Sequence, residues 1–294
     1  MKVGIFGSIC QNEKQTLIRH MFEKLFDVQA DIFVDCDFYS FLVHTWGFRP
    51  VVAGLLNGDI FDLDLALSVG GDGTFLKTAS RINKQNIPIL GINTGRLGFL
   101  ADTGSNELDD TFNEVFKNYY RTEERTLLRL HTKERLFTGY NYALNEIAVL
   151  KRDTSSMITI HASVDDDFLA SYQADGLIVA TPTGSTAYSM SVNGPILVPQ
   201  SNSLVLSPVA PHSLNVRPLV IPDTSVINLT IESRNEYFLV ALDGRSEIFP
   251  AGALLTISKA DYTTRIIKRH NHTFYKTLRD KLMWGADTRF ASFK

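Results

Sequence analysis

The chain has 294 residues, of which 44% are hydrophobic and 21% are charged. This balance is typical of a globular protein with one large or two smaller domains, and it excludes disordered and fibrous classes. The formal net charge of −3 gives no general attraction for nucleic acid or anionic membranes. We therefore expect neither as a partner, and any bound phosphate must be held by local groups.

Cysteine content and hydropathy indicate the compartment. Cys10 and Cys36 are too few for a disulfide framework or a four-cysteine zinc site, so we expect two reduced thiols. The N-terminal residues read as a short strand and lack the apolar core of a signal peptide. No run approaches the roughly 20 apolar residues that a membrane span needs. We expect a cytoplasmic protein.

The first third of the chain alternates strand-like and helix-like segments. Short apolar runs predict strands at residues 3–6, 32–34, 65–69 and 88–92. Apolar residues at helical spacing predict helices at residues 15–25 and 75–82. The run at 65–69 is apolar almost throughout, as in a parallel strand that is buried on both faces. Strand, helix and strand in this order predict an α/β domain with a mainly parallel sheet.

From about Glu124 the hydrophobic pattern changes to period two. Residues 158–165 and 227–232 alternate apolar and polar side chains, which predicts a β-rich second domain with half-solvated strands. The domain change is expected between residues 120 and 127. A short helix is predicted after Gly184, and an amphipathic helix is predicted from Phe274 to Leu282.

The segment 70–74 reads Gly-Gly-Asp-Gly-Thr and lies between a predicted buried strand and a helix. Glycines let a ligand approach the main chain, and N–H groups at a helix N-terminus bind phosphate. An anionic Asp72 would repel phosphate, so it either accepts a proton from an attacking hydroxyl or holds Mg²⁺. The alternative is that Asp72 only caps the following helix. The spacing fits neither a Walker loop nor the dinucleotide fingerprint.

Two further polar segments interrupt apolar strands. Asn145 and Glu146 would be costly to bury without partners, and they suit the paired hydroxyls of a ribose or a base edge. The alternative is an ordinary strand end. The segment 175–188 runs from an apolar strand into a loop rich in Pro, Thr, Gly and Ser, where Tyr188 offers a ring for stacking. The alternative there is a turn that caps a short helix.

The order of these segments resembles the NAD kinase family. The likeness lies in the glycine-rich loop with Asp72, then Asn145 and Glu146, then the segment 175–188. Residues 91–100, with the sequence Gly-Ile-Asn-Thr-Gly-Arg-Leu-Gly-Phe-Leu, and residues 211–218 are also similar to that family. Residues 274–289 resemble the ending of NAD kinases from the Bacteroides group.

The resemblance implies a reaction and a set of site residues. ATP would donate its γ-phosphoryl group to the 2′-hydroxyl of the adenosine ribose of NAD⁺, with Mg²⁺ or another divalent metal accompanying ATP and no residue assigned as a metal ligand. Asp72 would be the general base, Gly73 would lie against the ligand, and Lys77 would meet a phosphate. The implied NAD contacts are Asn145, Glu146, Asp175, Thr186, Ala187, Tyr188, Ser189, Met190, Ser191, Ala210 and Arg245.

The resemblance also implies an organisation. The expected fold is an α/β domain at residues 1–124 that binds ATP phosphates, with residues 270–294 packing back on it. A β-rich, β-sandwich-like domain at residues 125–269 would bind NAD and form the contacts of a homodimer or homotetramer.

Two competing hypotheses use only part of this pattern. A lipid or sugar kinase could share the loop at 70–74, but it would leave the segment 181–188 without a role. A non-catalytic module that senses dinucleotides would keep the pocket and lack turnover, and the intact Asp72 argues against it.

Overall fold

The computed structural model describes residues 1–9, 14–95, 98–133, 137, 139–152 and 157–286. Cys10, Arg96, Leu97 and residues 287–289 lie outside the described residues. In chain order the strands and helices are β1 (Lys2–Gly7), α1 (Gln15–Asp27), β2 (Asp31–Asp35), α2 (Cys36–His44), β3 (Gly54–Leu56), β4 (Leu65–Gly70), α3 (Asp72–Ile82), β5 (Ile89–Asn93), α4 (Leu108–Phe116), β6 (Arg121–Thr132), β7 (Tyr142–Ala143), β8 (Glu146–Lys151), β9 (Ile158–Val164), β10 (Asp167–Ala174), β11 (Gly176–Ala180), α5 (Tyr188–Ser191), β12 (Ser203–Val209), β13 (Leu219–Pro222), β14 (Ile227–Glu232), β15 (Tyr237–Leu242), β16 (Arg245–Pro250), β17 (Leu254–Lys268) and α6 (Phe274–Leu282).

The chain divides into two compact units. Unit 1 comprises Met1–Glu124 and Thr264–Lys294, and unit 2 comprises Arg125–Thr263. Residues 264–269 belong to unit 1, whereas the division expected from the sequence placed them in the second domain. Residues 264–268 are the end of β17, whose Ile266 pairs with Ile89 of β5.

Unit 1 is built on a parallel sheet. Its strands lie in the order β5, β4, β1, β2, β3, and each neighbouring pair is parallel. β4 and β5 are buried along their whole length, as expected of central strands in such a sheet. Gly70 at the end of β4 stands opposite Asn93 at the end of β5, so the loops that follow both strands begin side by side. The predicted α/β domain with a mainly parallel sheet is confirmed.

The helices of unit 1 pack through apolar faces. α1 buries Ile18, Met21, Phe22 and Leu25, close to the face predicted from the sequence. α2 and α4 were not predicted, because each has only nine residues and shows barely two turns of periodicity. At the start of α2, the Asp35 carboxylate caps the helix by accepting the N–H of Phe38 at 3.4 Å. At the start of α4, two acids occupy the first turn, where the helix dipole favours negative charge.

Unit 2 consists of two antiparallel sheets with one shared apolar core. One has the order β10, β9, β14, β17, and the other has the order β13, β12, β11, β8, β15, β16. Ile160 and Leu229 of the first sheet belong to the same buried cluster as Val149, Val179 and Phe238 of the second. The predicted β-rich domain is confirmed.

In the part of the chain that the structure describes, no helix has both the length and the apolar character to cross a membrane.

Ion pairs fasten the segment after β17 within unit 1. Lys268 Nζ lies 2.5 Å from Asp102 Oδ2, and both side chains are nearly inaccessible, at 6% and 7% exposure. Arg269 donates two hydrogen bonds to the Glu114 carboxylate, at 3.0 and 2.9 Å. A buried charge left alone is costly, so removing either partner would weaken the attachment of α6.

His272 completes this cluster. Its Nε2 lies 3.0 Å from Glu107 Oε1, and its Nδ1 lies 3.9 Å from Asp102 Oδ2. The Asp102 carboxylate, and then that of Glu107, raise the pKa of His272 above its ordinary value of 6.5 and outweigh the opposing effect of burial. The imidazolium form is therefore the one that the folded protein stabilises.

We expect His272→Gln to remove a pH dependence of stability. A raised pKa in the folded state contributes stability that is complete below pH 6.5 and is lost as the pH rises through the raised value. The wild-type denaturation midpoint in urea should therefore fall between pH 6 and pH 8.5 more than that of His272→Gln. His270→Gln, at an exposed neighbouring position, is the control and should behave as wild type. Equal pH slopes in all three proteins would contradict this role of His272.

Candidate active site

The glycine-rich loop joins β4 to α3 in unit 1. β4 ends at Gly70, Gly71 is the N-cap, and the N–H groups of Thr74 and Phe75 donate to the Gly71 carbonyl at 3.0 and 3.1 Å. A Cβ on Gly70 would lie 2.3 Å from Thr74 Oγ1, so a side chain does not fit there. Among the described atoms, none lies within 4 Å of a Cβ placed on Gly73. The loop is tight at its start and open beside Gly73.

The Asp72 carboxylate is held by main-chain donors from the loop after β5. Phe99 N donates to Oδ2, and Leu100 N and Ala101 N donate to Oδ1, each at 3.0 Å. Asp72 is the first residue of α3, and its carboxylate reaches this second loop instead of capping its own helix. The capping alternative is therefore wrong for this residue.

The Asp72 carboxylate keeps one hydrogen-bond acceptor position that no described residue uses. Each carboxylate oxygen offers two lone pairs. Both lone pairs of Oδ1 are used by N–H groups, whereas Oδ2 accepts one such bond among the described residues. The Lys281 Nζ lies 3.5 Å from Oδ2, and both side chains are 30% exposed. The remaining acceptor position of Asp72 is on Oδ2.

The described residues of the segment 91–100 build the support of this carboxylate. Asn93 accepts the N–H of Gly95 at 2.7 Å and donates to the Ala101 carbonyl at 3.1 Å, which closes the loop after β5. A Cβ on Gly98 would lie 2.0 Å from Asp72 Oδ1, so glycine is required for the carboxylate to sit there. The sequence pattern marked this segment but did not assign Gly98 or the three main-chain donors to Asp72.

Lys77 lies beside the loop on α3. It lines a cavity of about 310 Å³ together with Thr74, with Gly7 and Ser8 at the end of β1, and with Asp35 at the end of β2. The carboxyl ends of parallel strands are where α/β sheets bind ligands. This position suits the predicted contact of Lys77 with a phosphate, which stays a prediction.

In unit 2, Asn145 and Glu146 meet the start of the segment 181–188. Thr181 N donates to the Asn145 carbonyl at 2.9 Å. A Cβ on Gly184 would lie 2.0 Å from the same carbonyl oxygen, so the two segments touch through their main chains. The backbone of Tyr188 hydrogen-bonds to Glu146. Two of the three motifs of the sequence thus form one site in unit 2.

Glu146 is a buried acid beside a second acid. Its Oε2 is buried without a hydrogen-bond partner among the described residues. Burial, and then the charge of Asp243, raise the pKa of Glu146 to about 8, and the Tyr188 bond offsets only part of this. Asp243 itself accepts the N–H groups of Leu144, Asn145 and Glu146, at 2.7, 2.8 and 3.2 Å. A buried acid with one unbonded oxygen is a candidate for binding a polar ligand.

The short helix α5 presents its residues in different directions. Tyr188 is 37% exposed and Ser191 is exposed, whereas Thr186, Ala187 and Met190 are half-buried. Ser189 is buried, and its hydroxyl lies 2.9 Å from that of Ser207. The Ser189 hydroxyl therefore bonds inside unit 2. Of residues 186–191, Tyr188 is the one that exposes an aromatic side chain.

Asp175 and Ala210 lie at the opposite end of β11 from Glu146. Ala180 pairs with Glu146, whereas Asp175 precedes the other end of β11, about 17 Å along the strand. Ala210 follows Val209, which pairs with Gly176, so it lies at the Asp175 end and has a φ of 43°. Asp175 Oδ1 is 2.6 Å from Lys151 Nζ.

Arg245 is occupied within unit 2. Its guanidinium donates to the carbonyl oxygens of Tyr140 and Tyr142 at 2.5 and 2.6 Å and lies 4.9 Å from the centre of the Tyr140 ring. These bonds give it a structural role, and its predicted contact with a cofactor stays a prediction.

The described residues do not form a metal site by themselves. Within their ranges, no group of three or more His, Cys, Asp or Glu side chains is placed to hold a metal ion. Mg²⁺ commonly binds through substrate phosphates with one or two carboxylates.

Comparison with known proteins agrees with this description. Residues 53–120 match the ATP-NAD kinase N-terminal domain, and residues 144–269 match the ATP-NAD kinase C-terminal domain. An NAD kinase from Bacteroides fragilis is 51% identical over 98% of this chain and 100% of its own length. The yeast NADH kinase, in a crystal structure complexed with NADH, has a TM-score of 0.87 at 24% identity, over 99% of this chain and 89% of its own.

A second solved structure shows the same fold. An NAD kinase from Archaeoglobus fulgidus in complex with ATP has a TM-score of 0.76 at 24% identity, over 96% of this chain and 99% of its own. The family models and the full-length relative define a kinase, and its fold joins an α/β unit to an antiparallel β unit. The chain belongs to the NAD kinase family, which confirms the resemblance seen in its sequence.

We expect Glu146→Gln to stabilise the fold at high pH and to impair the site. The carboxyl pKa of about 8 lies above its ordinary 4.5, so the stability linked to protonated Glu146 is complete below pH 4.5 and is lost as the pH rises through 8. Gln cannot ionise, so the variant should be more stable than wild type at pH 9 by about 1–3 kcal/mol and similar at pH 5.

Urea denaturation at both pH values measures this effect. Glu124→Gln, an exposed acid, is the control and should change stability little. NAD⁺ affinity measured at pH 9, where the wild-type carboxyl group is ionised, should fall in Glu146→Gln, because an uncharged amide accepts weaker hydrogen bonds from sugar hydroxyls. If Glu146→Gln is less stable than wild type at pH 9, this would contradict the burial of Glu146 with an unbonded Oε2.

Proposed function

We propose that this chain transfers the γ-phosphoryl group of ATP to the 2′-hydroxyl of the adenosine ribose of NAD⁺, giving NADP⁺ and ADP, with Asp72 as the general base. The observation that carries the proposal is the Asp72 carboxylate, which three main-chain N–H groups hold while one acceptor position on Oδ2 remains. A base that is fixed before the substrate arrives needs no reorganisation during the reaction.

The chemistry requires little else from a base. A sugar hydroxyl is a weak nucleophile, so the enzyme must place it in line with the γ-phosphorus and accept its proton late in the step. The bond from the 2′-oxygen to the γ-phosphorus forms while the bond from that phosphorus to the β,γ-bridging oxygen breaks. The proton passes to Asp72 Oδ2 and then to solvent. General-base help of this kind is worth about 10²–10⁴ in rate.

The ATP side of the proposal rests on unit 1. The first N–H groups of α3 and the ammonium of Lys77 are the donors nearest the glycine-rich loop in sequence, and Lys77 lines a cavity beside it. When a divalent metal is bound with ATP, it supplies neutralisation of the phosphate charge. The N–H groups of α3 and the ammonium of Lys77 hold the phosphates, and Asp72 accepts the proton.

The NAD side of the proposal rests on unit 2. The buried Glu146 has one oxygen without a hydrogen-bond partner among the described residues. The backbone of Tyr188 hydrogen-bonds to Glu146, and Tyr188 is exposed. A carboxyl group with free acceptor capacity binds ribose hydroxyls, and a ring binds a base face. Asn145, whose main chain is fixed by Thr181, adds an amide.

The proposal extends to the setting of the enzyme. We propose that it acts in the cytoplasm as a homodimer or homotetramer, on the support of the family resemblance. Light scattering of the purified protein at micromolar concentration gives the oligomer size, and a monomer would contradict this part of the proposal.

Asp72→Asn tests the central residue. We expect kcat for NADP⁺ formation to fall by about 10²–10⁴, because the amide cannot accept the proton. The amide nitrogen would also face one of the three N–H donors, which should lower stability by about 1–3 kcal/mol. NAD⁺ affinity, measured by calorimetry, should be largely intact.

Ile18→Val is the matched control for lost stability. Ile18 is fully buried in α1, so the change should cost about 0.5–1.5 kcal/mol and leave kcat unchanged. Near-normal kcat in Asp72→Asn would remove Asp72 as the base. Wild-type protein that phosphorylates diacylglycerol or a sugar phosphate instead of NAD⁺ would overturn the proposed reaction.

A further inference from the structure

α6 carries a lysine to the carboxylate of the glycine-rich loop. Lys281 Nζ lies 3.5 Å from Asp72 Oδ2 and 4.6 Å from the centre of the Phe99 ring. Phe99 is also the residue whose N–H donates to the same Oδ2. The ammonium group is thus placed between the carboxylate and an aromatic face, which attracts cations.

The rest of the C-terminal segment holds this lysine in place. The Phe274 ring at the start of α6 lies 6.3 Å from the Phe99 ring, and Thr277 and Leu278 are buried. Thr273 caps the helix by accepting the N–H of Lys276 at 3.2 Å. α6 is therefore fixed in unit 1 by contacts that do not involve the ammonium of Lys281.

The pair of Lys281 and Asp72 differs from the structural ion pair of the same segment. Lys268 and Asp102 are 2.5 Å apart and at most 7% exposed, whereas Lys281 and Asp72 are 3.5 Å apart and 30% exposed. Exposed ion pairs contribute about 0–1 kcal/mol to stability. The ion pair of Lys281 with Asp72 therefore contributes little to the stability of the fold, and this contribution does not explain why a lysine lies there.

The chemistry of the site gives a stronger reason. Asp72 is an anion that must work beside the phosphates of ATP, and charge on the transferred group must be neutralised in the transition state. Among the described residues, Lys281 is the cation that lies within 4 Å of the Asp72 carboxylate. Its ammonium faces Oδ2, the oxygen that keeps an acceptor position for the attacking hydroxyl.

We propose that Lys281 is a further catalytic residue, whose ammonium contacts the phosphoryl group in transfer next to the proton-accepting oxygen of Asp72. The inference rests on the proposed function. In the absence of substrates the ammonium neutralises Asp72. When ATP and NAD⁺ bind, it moves onto the oxygens of the γ-phosphoryl group and leaves Oδ2 to the 2′-hydroxyl.

Lys281→Ala tests this role by steady-state kinetics with Mg-ATP and NAD⁺. Removing one donor to the transition state costs about 10²–10³ in kcat, and we expect a loss of this order with little change in KM for NAD⁺. Ethylammonium added to Lys281→Ala should restore part of kcat in proportion to its concentration. Lys281→Arg should keep more activity than Lys281→Ala because it keeps the charge.

Arg279→Ala is the matched control, since it removes a charge from the exposed face of the same helix. It should keep wild-type kcat and show no response to ethylammonium. Thermal unfolding of both alanine variants should agree with wild type. A Lys281→Ala kcat within about threefold of wild type, or a loss without rescue by ethylammonium, would overturn the assignment of Lys281. Wild-type protein that forms no NADP⁺ would overturn the proposed function as well.

Discussion

The candidate site depends on one interaction, the binding of the Asp72 carboxylate by the main-chain N–H groups of residues 99–101. It fixes the loop after β4 to the loop after β5, and β4 and β5 are neighbours in the parallel sheet. Gly98 leaves room for the carboxylate, because any Cβ there would collide with Oδ1. The same three bonds order the second loop and leave one acceptor position on Oδ2, so support and reactivity come from a single geometry.

The carboxyl groups of Asp72 in unit 1 and Glu146 in unit 2 differ in hydrogen bonding and in burial. Asp72 is well bonded and partly exposed, so its orientation is fixed. Glu146 is buried with an unpartnered oxygen, and its burial beside Asp243 disfavours its charge. Stability alone would favour neither an unsatisfied acid nor a cation held loosely beside Asp72. Both features are understandable when a ligand completes them, as proteins accept local cost at functional sites.

Much of this architecture could be predicted from the sequence. The buried run at residues 65–69 and the period-two segments of unit 2 gave the two fold classes, because apolar patterning reflects burial directly. The motifs gave Asp72 and Glu146 as candidates, because polar residues inside apolar runs need a purpose. What could not be predicted were contacts between segments distant in sequence. Nothing local to Phe99 indicates that its N–H meets Asp72, and nothing in the amphipathic pattern of α6 distinguishes Lys281 from the other cations of that helix.

The sequence was also silent on how positions within a motif differ. The segment 186–191 reads as one polar stretch, yet Ser189 is buried against Ser207 while Tyr188 is exposed. The family resemblance implies NAD contacts for Arg245 and Asp175, and the structure shows that both side chains are bonded within unit 2. Side-chain direction in a short helix depends on the strands beneath it, and those strands come from other parts of the chain.

A crystal structure with NAD⁺ and a non-hydrolysable ATP analogue is the most direct measurement of the central claim. The distance that matters joins the 2′-oxygen of the adenosine ribose to Asp72 Oδ2. The account predicts hydrogen-bond contact, about 2.6–3.2 Å, on the side of Oδ2 that the Phe99 N–H leaves open. An adenosine ribose bound in the crystal with its 2′-oxygen out of reach of that carboxylate would contradict it.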